Sequence, residues 1–228
     1  MSPTKEGAMR ILGLNSSPNG KKSQTRRLVQ AVLDGAAAKG AETEYIDLRT
    51  IRIEYCIGCR KCFATGKCFI NDDYAPLLEK MLAADGMVWG SPNYSFCVNA
   101  PMKALIDRMA DVIHGQYFDG KYCAAVSTAG RDHSLVTRFL ANNFTDLGGY
   151  VTGTAGALVT DGPEAVARAE SLSFTLGQTL VDDIAGKRPY FDQRVAIDAN
   201  RRAFQAKIRQ HRVEWPFQFT YWEKRNWA

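Results

Sequence analysis

Short apolar runs alternate along the chain with longer stretches in which apolar residues recur every three or four positions, up to about residue 185. Met9 to Leu14 is mostly apolar and breaks at Asn15-Ser16-Ser17-Pro18-Asn19-Gly20, which predicts a strand feeding a polar loop. From Ser23 or Thr25 onward, Leu28, Val29, Val32 and Leu33 share one helical face, and Gly40 is placed to end that helix. The pattern then repeats. Glu42 to Asp47 reads as a second strand, and Asp72 or Asp73 caps a short helix carrying Leu77, Leu78, Met81 and Leu82. Met87 to Trp89 is a third strand, and Asn99 with Pro101 opens a helix through Leu105, Ile106 and Met109. Tyr122 to Val126 and Tyr150 to Val159 supply strands four and five. Between them lies a helix from Asp132 or His133 to about Leu147, and a long helix from Pro163 to Ala185 follows.

Strands alternating with helices at these spacings predict an α/β fold, a doubly wound five-stranded parallel sheet with right-handed crossovers and the flavodoxin-like order 2-1-3-4-5. Ligands of such sheets lie outside the carboxyl ends of the strands, so loops 15–24, 48–71, 91–99 and 127–132 are expected on one edge. The first loop offers the hydroxyls of Ser16, Ser17, Ser23 and Thr25 beside a helix N-terminus, the parts of a phosphate cradle. A serine-rich capped helix without a ligand has the same composition. Gly13-x6-Gly20-Lys21-Lys22-Ser23 misses the nucleotide P-loop spacing, and no G-x-G-x-x-G follows the strand, which disfavours ATP and a Rossmann-bound dinucleotide. Pro92, Asn93, Tyr94, Ser95 and Phe96 combine a rigid proline, polar groups and two aromatics, suited to clamping a flat heterocycle. Thr128, Ala129 and Gly130 let the backbone approach the same ring.

The second loop carries Cys56, Cys59, Cys62 and Cys68 as C-x2-C-x2-C-x5-C, four of the six cysteines in the chain. Two-residue spacers let thiolates converge on one centre, and Gly58 and Gly66 permit the tight turns that wrapping requires. A cubane iron–sulfur cluster suits this spacing best. Zinc is a rival, though four-cysteine zinc sites usually pair two C-x2-C units across a long spacer, and unliganded thiols in a solvated basic loop are a third reading. Arg60, Lys61 and Lys67, with no acid among them, are expected to lower thiolate pKa values and offset cluster charge.

Composition changes this picture little: 46% hydrophobic and 23% charged residues describe an ordinary globular chain. No apolar run long enough for a signal peptide or a membrane span occurs, so a cytoplasmic protein is expected. Charge is informative once divided. Residues 1–186 carry 19 Lys and Arg against 20 Asp and Glu, whereas residues 187–228 carry 10 against 4, so the excess of +5 belongs to the tail. No nucleic-acid motif accompanies it, and no nucleic-acid partner is expected. His133 reads as a capping or solvated residue, His114 and His211 carry no motif, Asp107 and Arg108 read as a structural salt-bridge pair, and Cys97 as a small buried side chain.

Taken together, Asn15-Ser16-Ser17-Pro18 through Ser23-Gln24-Thr25, the Cys56 to Cys68 loop followed by Asp72-Asp73, Gly90-Ser-Pro-Asn-Tyr94, and Met102-Lys103-x3-Asp107-Arg108 resemble the NADPH-dependent FMN reductase superfamily of flavodoxin-like proteins, most closely its iron–sulfur flavoprotein branch. The likeness covers about residues 9–185, with Pro18 and Lys21-Lys22 standing where simple members often have Arg and Gly-Asn. It implies FMN held by the first, third and fourth loops, with Ser17, Gln24 and Thr25 at the phosphate. It further implies a 4Fe-4S cluster on Cys56, Cys59, Cys62 and Cys68, and homodimers or homotetramers. NAD(P)H is a candidate donor, and the partner is an electron donor or acceptor, protein or small molecule. A plain FMN or quinone reductase without a cluster and a redox- or metal-sensing protein are the alternatives.

Residues 1–187 then form the FMN-binding domain, and residues 188–228 a basic, aromatic appendage. A helix is predicted from about Asp192 to Val213, with Ile197, Phe204, Ile208 and Trp215 on one narrow line. Trp215 to Tyr221 alternates like an extended arm, and the appendage is expected to clasp a neighbouring subunit, the alternative being that it folds back on its own.

Overall fold

The computed structural model describes residues 7–227. Five parallel strands, β1 (Arg10–Asn15), β2 (Glu42–Asp47), β3 (Gly86–Tyr94), β5 (Tyr122–Ala129) and β6 (Tyr150–Leu158), lie in the order β2-β1-β3-β5-β6. Counting parallel strands alone, this is the expected 2-1-3-4-5. The two-residue β4 (Cys97–Val98) turns back on the end of β3, which continues five residues beyond its predicted end at Trp89. Gly90 to Tyr94 are therefore strand rather than loop, because pairing with β5 persists as far as Pro92 against Thr128.

Side chains alternate across the sheet as a period of two demands. Leu12, Leu14, Met87, Trp89, Cys123 and Ala125 point to a core shared with α3 (Tyr74–Ala83), α4 (Ala100–Arg108) and α6 (Ser134–Asp146). Ile11, Val88, Ala124 and Val126 point to the opposite core, closed by α1 (Gln24–Ala38) and α7 (Pro163–Gly186). Those two helices touch backbone to backbone, since a Cβ added to Gly35 would stand 2.0 Å from the carbonyl oxygen of Phe174. Two short helices were not anticipated: α2 (Lys61–Thr65) within the cysteine loop, and α5 (Ala110–Gly115) directly after α4.

The C-terminal segment departs most from expectation. Its first helix is α8 (Phe191–Gln210), close to the predicted span, but Pro216–Lys224 forms a further helix, α9, and not an extended arm. Period-two alternation of aromatics misleads here because Phe217, Phe219, Tyr221 and Trp222 divide among three surroundings rather than two faces. Phe217 covers Gly66, Tyr221 meets Tyr117 edge-on at 4.8 Å, and Trp222 is wholly buried. Both helices pack on their own chain. Ile197 and Ile208 are buried as the narrow stripe predicted, and Ile208, Phe63, Trp215 and Trp222 make a third small core. At the start of α8 the Gln193 amide donates to Val151 O at 2.8 Å and accepts from Val151 N at 2.7 Å, and the Tyr190 hydroxyl donates to Thr152 O at 3.3 Å. Among the described residues no helix is long and apolar enough to cross a membrane.

Candidate functional site

Three of the four expected loops are stitched together at the carboxyl edge. Register places Asn15 beside both Asp47 and Gly90, so β1, β2 and β3 deliver their loops at one level. The Ser16 hydroxyl donates to Gly90 O at 3.1 Å, and the Asn99 amide donates to Ser16 O at 2.6 Å while Ser91 Oγ accepts from Asn99 N at 3.1 Å. Thr25 and Thr128 share a hydrogen bond between hydroxyls at 2.7 Å, and the Asn93 amide donates to Asp132 O. First loop, third loop and fourth loop thus hold one another through side chains.

Within this edge the predicted residues take different parts. Ser23 is the N-cap of α1, its hydroxyl accepting from Arg26 N at 3.0 Å, so it serves the helix as the ligand-free reading supposed. Ser16, Ser17 and Thr25 are buried, and the Gln24 amide oxygen accepts from Arg27 at 2.7 Å. The first N–H groups of α1 are left for an anion by helix geometry. Pro92 is buried, while Tyr94 and Phe96 are 50% and 60% exposed at the tip, where Ser95 and Phe96 adopt φ of 50° and 66°. A pair of non-glycine residues in the left-handed region is costly, and Asn93 Oδ1, accepting from Phe96 N at 2.8 Å, holds it. Thr128 and Ala129 are buried and Gly130 is exposed. Three buried polar atoms here lack a partner: Asn15 Nδ2, Ser127 Oγ and His133 Nδ1. His133 is not a side-chain cap; Asp132 Oδ1 accepts from Ser134 N at 2.8 Å instead, and the imidazole rests over Gly156, where a Cβ would meet its Nδ1 at 2.3 Å. Sequence reasoning missed Asn15 and the stitching role of Asn99, which looked like a helix cap.

The cysteine loop leaves β2 at the same edge but does not stay there. Its neck is a clasp in which Asp72 Oδ2 accepts from Glu54 N at 2.8 Å and Asp73 Oδ2 accepts from Arg52 N at 2.7 Å. Arg108, at the far end of α4, donates to both Asp72 oxygens at 2.6 and 3.2 Å, to Glu54 O at 2.9 Å and to Cys68 Sγ at 3.2 Å. The Arg108 and Asp72 side chains are 1% and 0% exposed. Burial opposes the Asp72 charge, yet Arg108 and the N–H groups of Glu54 and Tyr74 hold its carboxyl below the ordinary value. Asp107 pairs separately with Lys103 at 2.6 Å. Because Asn99 joins the stitched loops and Arg108 the cysteines, the two sites stand at opposite ends of α4, about 14 Å apart along its axis at 1.5 Å per residue.

All four thiols of the loop are free and line one cavity of about 370 Å³. Cys56 and Cys59 are exposed, Cys62 and Cys68 half-buried. Arg60 and Gly66, at φ of 61° and 71°, bracket α2. The cavity walls include Arg60, Arg108, His114, Lys207, His211 and Trp215 and hold no carboxylate. Among the described residues, no three Cys, His, Asp or Glu side chains are gathered as around a single metal ion. The basic residues do not lower the Cys62 pKa as expected: burial, followed by the nearby Asp111, pushes it up to about 12. Burial likewise drives the His114 pKa down to about 4, with Lys207 adding to the effect, so the imidazole is neutral. Its ring stacks on Phe63 at 4.4 Å. His114 and His211, which carried no motif, both belong to this cavity. Lys207, His211 and Trp215 fall at i, i+4 and i+8, a spacing visible in the sequence whose partner was not.

Comparison with known proteins adds to this geometry. The family model described as NADPH-dependent FMN reductase matches residues 9–162. An iron–sulfur flavoprotein of Methanocaldococcus jannaschii is 39% identical over 119 residues, 52% of this chain and 61% of that protein. Two iron–sulfur flavoproteins of Archaeoglobus fulgidus are matched over 53% and 60% of their lengths, so the chain spans less than two thirds of these relatives. Among solved structures, RosB with bound 8-demethyl-8-formylriboflavin-5'-phosphate shares the fold at a TM-score of 0.64 and 19% identity, over 86% of this chain and 88% of that one.

Proposed function

The chain belongs to the NADPH-dependent FMN reductase family, and from that premise we propose that it is an FMN-dependent oxidoreductase which also carries a 4Fe-4S cluster and passes electrons between a donor, the cluster and the flavin. The observation that carries this reading is the pairing of a stitched three-loop edge with a carboxylate-free cavity lined by Cys56, Cys59, Cys62 and Cys68.

The residues present fit both groups. At the edge, buried and unpartnered Asn15 Nδ2, Ser127 Oγ and His133 Nδ1 await polar partners. Ser16, Ser17, Gln24 and Thr25, with the N-terminus of α1, would hold the phosphate, and Ser23 would keep that helix end in place. Pro92, Asn93, Ser95, Thr128, Ala129 and Gly130 would border the ring, with Tyr94 and Phe96 free to cover it. At the cavity, the four thiols among cations would be the donor set of a thiolate-bound cluster, and metal binding would displace the proton that burial keeps on Cys62. When bound, the flavin supplies one- or two-electron exchange and the cluster one electron at a time.

The names of the similar proteins support the iron–sulfur reading, and homodimers or homotetramers follow from the family resemblance. NAD(P)H is the candidate donor, with a protein or small molecule as acceptor. An anaerobic visible spectrum with iron and sulfide analysis tests the proposal. Flavin bands with broad iron–sulfur absorption and about four irons per chain support it; flavin alone points to a cluster-free reductase, and neither would sink both. Cys62→Ser should abolish iron binding and leave FMN bound, because the stitched edge lies at the other end of α4.

A further inference from the structure

Lys207, His211 and Trp215 lie beyond the matched family region, which ends at residue 162, yet they share one cavity with the four cysteines. Their placement is fixed by several independent contacts. The Trp222 indole N–H donates to His114 O at 3.1 Å in a fully buried bond, and Phe217 sits over Gly66, between Cys62 and Cys68 in the sequence. Trp215, 6% exposed, meets Phe63 edge-on at 4.8 Å, and Phe63 belongs to the short helix that carries Cys62. His211 stacks on the Trp215 ring at 4.3 Å, and Lys207 Nζ lies 5.8 Å from its centroid. With the tail in place Cys56 and Cys59 remain exposed while Cys62 and Cys68 are half-buried, and α8 with the turn that follows it supplies part of the cavity wall through Lys207, His211 and Trp215.

Resting on the reading that the cysteines hold a cluster, we propose that the C-terminal segment is part of the metal site: Trp215 shields the half-buried Cys62 sulfur from water, and Lys207 favours the reduced cluster. Solvent exposure, hydrogen bonding and net charge set the potential of a thiolate-bound cluster. Adding one electron makes the site more negative, and a fixed positive charge in a cavity without carboxylates stabilises that state. Water exclusion strengthens the same interaction and slows attack on the iron–thiolate bonds. The tail thereby has a role at this site that the family region does not supply.

The test uses the full chain, reconstituted anaerobically with FMN, ferrous iron and sulfide, and titrated with dithionite as the one-electron reductant while cluster and flavin are followed by EPR and absorbance. Lys207→Gln should move the cluster midpoint to more negative potential and leave the flavin midpoint unchanged, with Lys207→Arg restoring it. Added salt should shrink the difference, as expected for a charge effect. Trp215→Leu should speed iron loss to a chelator several-fold at constant flavin content. Since Lys207 is exposed and belongs to none of the three apolar cores, its replacement leaves their packing intact, and unchanged circular dichroism verifies this. Equal midpoints in Lys207→Gln and the parent, together with equal iron-release rates in Trp215→Leu, would overturn the proposal while leaving the cluster reading standing. A parent chain that binds no iron or sulfide would overturn both.

Discussion

Arg108 joins three structures at one guanidinium: the neck of the cysteine loop, a cysteine sulfur and the end of α4. Removing it leaves Asp72 charged and buried without its partner, which costs about 3–5 kcal/mol in comparable pairs. Arg108→Met should therefore lower the unfolding free energy read from denaturant titration by that amount, and Arg108→Lys should recover only part of it, because a lysine cannot reach both carboxylate oxygens and Cys68 at once. Unchanged stability in Arg108→Met would mean the neck is held by other contacts. His114 gives a pH dependence of defined sign. Its folded pKa of about 4 lies below the ordinary 6.5, so the unfolded chain takes up a proton first as pH falls. Stability is complete above pH 6.5 and declines toward pH 4, by about 2 kcal/mol at pH 5 from this residue. His114→Phe should flatten that part of the stability curve in denaturant titrations, and a slope that persists would assign it to another group. Neither role was legible beforehand. Arg108 belonged to a noticed motif, but its partner Asp72 lies 36 residues away, and His114 had no pattern around it.

At the scale of elements, strands and helices were legible wherever apolar periodicity was sustained. β2 matches its predicted bounds, and α1, α6 and α7 fall within a residue or two of theirs. The errors fall where packing, not local pattern, decides. β3 continues through Pro92 because its neighbour β5 continues, and α9 forms because its aromatics have three separate places to go. The edge site was legible as three loops, although the bonds that bind them were not. Helix α9 is secured chiefly by Trp222, wholly buried and bonded to His114 O. Trp222→Ala should cost about 3–5 kcal/mol locally and free α9 for proteolysis, while flavin binding and the far-ultraviolet signal of the sheet domain persist. Loss of flavin in the same variant would show that the tail supports the edge as well.

Among the described residues there are three packed regions: one on each face of the sheet, and a third built from α2, α5, α8 and α9 around Phe63 and Trp215. The third is small and separate, so it is expected to open as a unit at lower free energy than the sheet. Native-state hydrogen exchange should show amides of residues 61–65 and 204–224 exchanging together, before those of β3 and β5. Protection of α9 equal to that of the central strands would contradict this. The charge division seen in the sequence acquires a place here, since tail residues Arg201 and Arg225 both reach Asp119 of the main domain, at 2.8 and 3.5 Å.

The contact of Gln193 with Val151 bears on how copies of this protein behave in a crowd. A sheet ends in two strands whose outer N–H and C=O groups are free to recruit a strand from another molecule. On β2 the outer strand carries Glu42 and Glu44, charges that repel such pairing. On β6, rich in small and β-branched residues, that defence is lacking, and a single amide side chain occupies the pairing groups of Val151 as a strand residue would. Tyr190 occupies the neighbouring Thr152 carbonyl. A chain trimmed near residue 188 would uncover this edge, and self-association through β6, growing with concentration and with thioflavin fluorescence, is the consequence.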